Sequence, residues 1–326
     1  MLKLKILNDL GSIIGITLMY SAPLIYTSLG GVLSENAGVV NIGLEGMMTI
    51  GAFAGAAVAY FTQNPWLGFI VAGLAGGALA LLHAIACVTF TADHVVSGIA
   101  INFIGPGLAL FLTKMLFDGA AMTLPLDLDH KIPRPLNGIF SSISVSNPVL
   151  VKIVNALNSI FNQYATVYIA FILVFAVWFL LYKTKTGLRI RSVGEHPRAA
   201  DTLGVNVYKI KYLAVILSGI LAGLGGAAMS IAVISNYRAT LISGQGFIAL
   251  AAMIFGKWKP QGAMWGCLLF GAAQGLVVHL GGTDLKVSSQ LLAMIPYIIT
   301  LIILMGFVGE ARGPAANGEP YEKNQG

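Results

Sequence analysis

Four polar side chains, Asn36, Asn41, Glu45 and Asn102, stand in stretches where this apolar chain has least use for them. Glu45 belongs to Gly38-Val39-Val40-Asn41-Ile42-Gly43-Leu44-Glu45-Gly46. A carboxylate at the centre of a bilayer helix costs about 2.5–3.5 kcal/mol on insertion scales, so it needs a protein partner or a wet cavity. Asn41 and Glu45 are four residues apart and share a helical face. They either line a substrate path or brace a local break in the backbone. Asn102 closes a second inclusion, Val96-Ser97-Gly98-Ile99-Ala100-Ile101-Asn102, with Pro106 predicting a kink just beyond. It is a candidate for the same path or for an interhelical hydrogen bond. His83 reads as a neutral core histidine before it reads as a proton relay. Gln245 and Gln274 suit packing or a path equally, and Lys114 can snorkel to the interface.

A second constellation is mechanical. Seven of the 19 Lys and Arg fall between Lys183 and Tyr212: Lys183, Lys185, Arg189, Arg191, Arg198, Lys209 and Lys211. Inside this block, Glu195-His196-Pro197-Arg198-Ala199-Ala200-Asp201-Thr202-Leu203-Gly204 predicts a short punctuated helix. Proline is tolerated in the first turn and glycine closes the last. Ala199, Ala200 and Leu203 give it a small apolar face without Trp or Phe anchors. That favours docking on a soluble partner over lying on anionic lipid, the alternative that the flanking basic residues suggest.

Absences exclude several classes. There is no G-x-x-x-x-G-K-[ST], since Trp258 follows Gly256-Lys257, and neither H-E-x-x-H nor G-x-S-x-G occurs. The chain is read as no enzyme, with no cofactor or metal site. The +6 formal charge sits beside spans with little aromatic interleaving, so the positive-inside rule accounts for it and nucleic acid is not expected. Cys87 and Cys267 lie in apolar runs and read as small core residues.

The elements that must position these groups are membrane helices. Hydrophobic residues make up 57% and charged residues 10%, against about 25% charged in soluble domains. The runs are continuously apolar, which argues against a β-barrel. The fold class is all-α, a polytopic transmembrane helical bundle of about 8–10 spans with one re-entrant or broken helix. Eight runs approach the ~20 residues of a span: 11–29, 39–61, 66–90, 95–117, 165–182, 213–234, 263–280 and 291–307. A shorter run, 247–255, reads as a broken helix, and 149–161 as an amphipathic piece within a Pro-rich external loop, 118–163. Lys3 and Lys5 precede a run interrupted by Asn8 and Asp9 without a cleavage site, which reads as an uncleaved first span. Residues 1–308 form the transmembrane domain, 183–212 a cytoplasmic loop and 309–326 a polar, disordered cytoplasmic tail.

Lys/Arg bias places both termini, the 183–212 block and Lys257/Lys259 in the cytoplasm. Four full crossings before residue 118 then leave the Pro-rich loop on the wrong side. The glycine- and polar-rich region 30–51 is the expected re-entrant or broken segment, because irregular backbone at membrane depth survives only when buried or beside water. The recurring GxxxG pairs, Gly51/Gly55 and Gly219/Gly223 among them, indicate tight packing.

Ser34-Glu35-Asn36-Ala37-Gly38-Val39-Val40-Asn41-Ile42-Gly43-Leu44-Glu45-Gly46-Met47-Met48 resembles the signature of simple-sugar and nucleoside permeases of ABC importers. Thr186-Gly187-Leu188-Arg189, Gly194-Glu195-His196-Pro197-Arg198-Ala199-Ala200 and Ile248 to Trp258 fit the same group, and Ala199-Ala200-x-x-x-Gly204 is similar to the core of its coupling loop. Arg198 stands where that loop has glutamate, a position for which Glu195 can substitute. The resemblance implies ABC importer permease architecture on the nucleoside branch, related to ribose and branched-chain amino acid permeases. It implies a second homologous permease, a cytosolic ATPase with two nucleotide-binding cassettes and an extracellular substrate-binding lipoprotein. The coupling helix would comprise Glu195, Pro197, Arg198, Ala199, Ala200, Leu203 and Gly204, and the expected setting is the plasma membrane, with lipid around the spans. A proton-coupled secondary transporter working through Glu45 or His83, and a membrane-embedded enzyme or scaffold, are the competing readings.

Overall fold

The computed structural model describes residues 2–139, 148–282 and 312–323, together with 291, 294 and 298. The described residues are helical apart from turns, loops and one isolated bridge between Met122 and Arg238. In chain order they form α1 (Leu2–Asn36), α2 (Leu44–Thr62), α3 (Pro65–Ala84, continued by a π turn Ile85–Thr89) and α4 (His94–Leu116). Then come α5 (Pro148–Phe161), α6 (Ala165–Lys183), α7 (Lys185–Glu195) and α8 (Pro197–Thr202). Last are α9 (Val207–Ala227, continued by a π segment Ala228–Ile234), α10 (Gln245–Phe255) and α11 (Pro260–Gly281). Seven described helices are long and apolar enough to cross a membrane. The expected span 291–307 lies almost wholly outside the described residues.

Local chemistry sets the boundaries that lie in polar surroundings. The Asn64 side chain accepts from the Trp66 and Leu67 amides ahead of Pro65, which starts α3. Asp93 accepts from the Val95 and Val96 amides to start α4, and Asn206 accepts from the Lys209 amide to start α9. Each satisfies amides that the first helical turn leaves without partners.

The interior is assembled by close backbone approach. α9 runs through the centre, packed on α1, α2 and α3. A Cβ on Gly51 would collide with Gly223, and one on Gly76 with Gly219. The small-residue spacing thus serves contacts within the chain.

The two ends of α1 separate segments that the charge rule puts on one side. Gly11 and Gly15 lie against Ala156 and Ser159 of α5, whereas Asn36 lies against Gly194 at the end of α7. The amino-terminal end of the bundle and the 183–212 loop are therefore on opposite faces, and the expectation of one shared face is corrected. This also removes the parity conflict: four helices after a start on the far side bring the Pro-rich loop back to that side.

Residues 37–43, between α1 and α2, are irregular and almost wholly buried. The chain leaves α1 at Asn36, yet Asn41 meets Ser218 of α9, the residue that also packs on Gly30. The backbone therefore climbs back to the level of Gly30 without helical hydrogen bonds. This is the broken segment expected between residues 30 and 51, and α2 begins inside the bundle.

Candidate functional site

A buried irregular segment must find a partner for each backbone polar group. For residues 38–46 those partners include two polar side chains singled out in the sequence, His83 and Asn102, together with Ser34 and His94. The Ser34 hydroxyl donates to the Val39 carbonyl at 2.7 Å. His83 donates from Nε2 to the Val40 carbonyl at 3.1 Å, and His94 accepts the Val40 amide on Nδ1 at 3.3 Å. The tautomers follow from those partners, leaving His83 Nδ1 to accept from the Ser97 hydroxyl, 2.8 Å away. Gly38 takes φ +77°, a left-handed conformation that favours glycine.

Asn102 makes two bonds across the gap from α4. Its Oδ1 accepts the Gly46 amide at 2.8 Å and its Nδ2 donates to the Ile42 carbonyl at 3.0 Å. Gly46 is the third residue of α2, whose N-cap is a glycine with no side-chain bond. Asn102 therefore caps α2 from another helix. It is also the ninth of the 23 residues of α4, so the start of α2 lies near the midpoint of that span.

Glu45 performs the corresponding task for α10. Its two carboxylate oxygens accept the Gly244 and Gly246 amides at 2.6 and 2.7 Å. α10 also starts from a glycine cap without a side-chain bond, and that glycine has φ +92°. The carboxylate sits in the first turn of α2 and against the first turn of α10, so two helix N-termini face its charge. Glu45 and Asn102 keep partial exposure, whereas Asn41 has none. The Asn41 amide nitrogen donates to Ser218 Oγ at 2.9 Å, and its oxygen is buried without a partner.

Asn36 does not join this group. Its Nδ2 donates to the Val32 and Trp258 carbonyls at the end of α1. There it stands beside Glu35, whose Oε2 accepts from Trp258 Nε1 at 2.6 Å and from Asn317 Nδ2 at 2.9 Å. Sequence reasoning placed Glu35 within a motif but gave it no role. Ser218, Trp258 and Asn317 were missed, because each acquires meaning only through a partner more than 150 residues away.

The predicted short helix is present as α8. Pro197 occupies its first turn and Gly204 follows it at φ +82°. Its faces are not arranged as expected. Ala200 is 3% exposed and packs with Val193, Val207 and Tyr321, while Leu203 is 84% exposed. Glu195, Arg198, Ala199 and Gly204 share the open side with Leu203. Ala200 is thus an inward contact, not part of an outward apolar face.

Residues 312–323, expected as a disordered tail, are folded onto this region. The Ala316 amide donates to the Gly194 carbonyl at 2.9 Å and the Gly318 amide to the Gly38 carbonyl at 3.3 Å. A groove of about 470 Å³ remains between the tail and Glu195–Ala199.

The family described as "Branched-chain amino acid transport system / permease component" matches residues 13–305. The chain is 45% identical to the guanosine ABC transporter permease protein NupQ of Bacillus subtilis (strain 168), over 99% of this chain and 100% of the relative. It is 41% identical to the nucleoside ABC transporter permease protein NupC of Lactococcus lactis subsp. cremoris (strain MG1363), again over 99% and 100%. The same Bacillus subtilis strain has a more distant relative, the guanosine ABC transporter permease protein NupP, 24% identical over 90% of this chain and 80% of the relative.

Proposed function

This chain belongs to the permease-component family of branched-chain amino acid transport systems, and on that premise we propose that it is the membrane-spanning subunit of an ATP-driven ABC importer for nucleosides. The observation that carries the substrate class is end-to-end similarity to permeases named for guanosine and for nucleosides. The pairing partner is a second, divergent permease, in keeping with two guanosine permeases in one relative's organism. A cytosolic ATPase with two cassettes and an extracellular binding lipoprotein complete the system.

The site supports a division of labour within the subunit. Glu45 and Asn102 are partly exposed near mid-span depth, where a carboxylate facing lipid would be costly. Their open side is therefore the wall of a polar path that the second permease closes. Asn41 holds the backbone behind that wall, while Asn36 holds the end of α1 against Trp258. The 183–212 loop, with its seven basic residues, faces the cytoplasm, and so does the folded tail, which leaves the start of α1 outside. The ATPase docks on the open side of α8, formed by Arg198, Ala199, Leu203 and Gly204, with Glu195 and Pro197 at its entry. ATP-driven closure of the cassettes moves this helix, and α7 carries the motion to Asn36 through Gly194.

A proton-coupled mechanism has weaker support. It needs Glu45 or His83 to exchange protons with water. Glu45 holds an amide on each oxygen, while His83 is fully buried with both ring nitrogens bonded.

The test is affinity purification of the tagged chain in mild detergent, followed by guanosine uptake in reconstituted vesicles. Recovery of a double-cassette ATPase and a second permease, with uptake that requires ATP, is the expected result. A chain purified alone, whose uptake collapses with the proton gradient, would overturn the importer reading.

A further inference from the structure

The 312–323 segment touches nearly every element that meets at the loop-side end of the bundle, and it does so in residue order. Gly313 lies against the Trp258 ring between α10 and α11. The Ala315 amide donates to Glu195 Oε2 and the Ala316 amide to the Gly194 carbonyl, both on α7. Asn317 donates to Glu35 at the end of α1, and Gly318 to Gly38 in the break. The Glu319 carbonyl accepts from Lys211 Nζ at 3.4 Å; that lysine, on α9, is 2% exposed. Tyr321 packs on Tyr208, ring centroids 5.6 Å apart, and on Ala200 of α8. Lys323 closes the series with Asp201 of α8 at 3.6 Å.

Two of these contacts answer a buried charge. Burying a carboxylate or an ammonium is costly unless it is hydrogen-bonded, and the tail supplies Asn317 to Glu35 and a carbonyl to Lys211. Glu35 Oε2 has two donors, the Trp258 indole and the Asn317 amide. Asn317 therefore fixes the junction between α1 and the irregular segment that leads to Asn41 and Glu45. The same stretch of tail reaches α8 only four residues later, at Tyr321. One short piece of chain joins the helix proposed to receive the ATPase to the backbone that positions the path.

We infer that Asn317 is a positioning residue of the transport step: acting through Glu35, it lets the tail carry displacement of α8 to the α1–α2 break. This rests on the importer reading. The link is a second route beside the direct contact of Gly194 with Asn36. Without it, the cassettes still dock and hydrolyse ATP, but the break follows α8 only through the Gly194 contact.

The test uses the whole complex, purified through a tag on the partner permease and reconstituted in vesicles. ATP hydrolysed per guanosine carried is measured for wild type, Asn317→Leu, Glu35→Gln and the double variant. Asn317→Leu is expected to raise that ratio about tenfold, the equivalent of one hydrogen bond to a charged group, with ATPase recovery unchanged. Glu35→Gln removes the charge that Asn317 serves, so the double variant should return most of the way to the Glu35→Gln ratio. A purely structural role would lower uptake and hydrolysis together and leave the ratio at the wild-type value, which overturns the inference. So would equal effects of Asn317→Leu in the presence and absence of Glu35. Failure to recover any ATPase with the wild-type chain would instead count against the importer reading itself.

Discussion

The Asn41 amide donates to the Ser218 hydroxyl at 2.9 Å, across 177 residues of sequence and with both side chains fully buried. This bond fixes the height of the irregular segment against α9, and everything that follows in α2 inherits its position. Ser218→Ala leaves the Asn41 nitrogen without its oxygen acceptor inside the bundle. The expected cost is about 1–3 kcal/mol, that of a buried polar group losing its partner. It should appear as a lower thermal midpoint of the detergent-solubilised chain, with Ser218→Thr retaining more stability than Ser218→Ala.

Glu45→Gln tests the bracing of α10. A carboxylate accepts on both oxygens, whereas the amide offers one oxygen and turns an NH2 group towards the other glycine amide. One of the bonds to Gly244 and Gly246 is then lost and a donor faces a donor. Bonds to charged groups are worth about 1.5–3 kcal/mol, so nucleoside uptake should fall at least about tenfold at unchanged membrane abundance. Uptake within twofold of wild type would show that α10 does not depend on this carboxylate.

Gly46 and Gly105 leave no room for a methyl group. A Cβ on Gly46 would enter the Ile101 carbonyl, and one on Gly105 would enter the Gly46 carbonyl. Gly46→Ala or Gly105→Ala must separate α2 from α4 and stretch both Asn102 bonds. About 1–3 kcal/mol of destabilisation is expected from overpacking, measured as loss of folded protein on heating. Gly107→Ala, on the same helix with open space around it, should be neutral or mildly stabilising.

Leu203 and Ala200 separate docking from folding. Leu203→Asp alters an exposed position and should reduce recovery of the ATPase while leaving permease abundance intact. Ala200→Glu buries a charge against Tyr321 and Val207, so abundance should fall as well, by the several kcal/mol that such burial costs. Pull-down and membrane quantification of the two variants distinguish the effects. Equal ATPase recovery with Leu203→Asp and wild type would remove α8 from the docking surface.

The helical architecture was legible because each span writes its own signal in consecutive residues, and α8 because proline and glycine bracket it. The broken segment was legible for a related reason: Asn41 and Glu45 have no place in a helix against lipid. What those side chains do was not legible. Each pairs with groups brought from far along the chain, so Asn102 reads as pore lining or as an interhelical hydrogen bond, and its capping of α2 emerges only when Gly46 is placed beside it. The placement of the start of α1 relative to the 183–212 loop was not legible, because Lys3 and Lys5 are only two charges, whereas the arrangement of α1 follows from packing on α5 and α7. The tail was misread because its composition is that of a disordered segment. Its order comes from receptors such as Gly194, Gly38 and Lys211, which are buried by other parts of the chain.

The bond between Glu35 and Asn317 spans 282 residues, and that separation is also an interval in time. α1 leaves the ribosome before the other described helices, and the Glu35 carboxylate near its end then has neither the Trp258 indole nor the Asn317 amide. The first arrives when α10 and α11 are in place, the second only with the 312–323 segment. Until then, the loop-side end of α1 carries an unanswered charge, so a chain cut before residue 312 differs from the intact one at a helix made long before the cut.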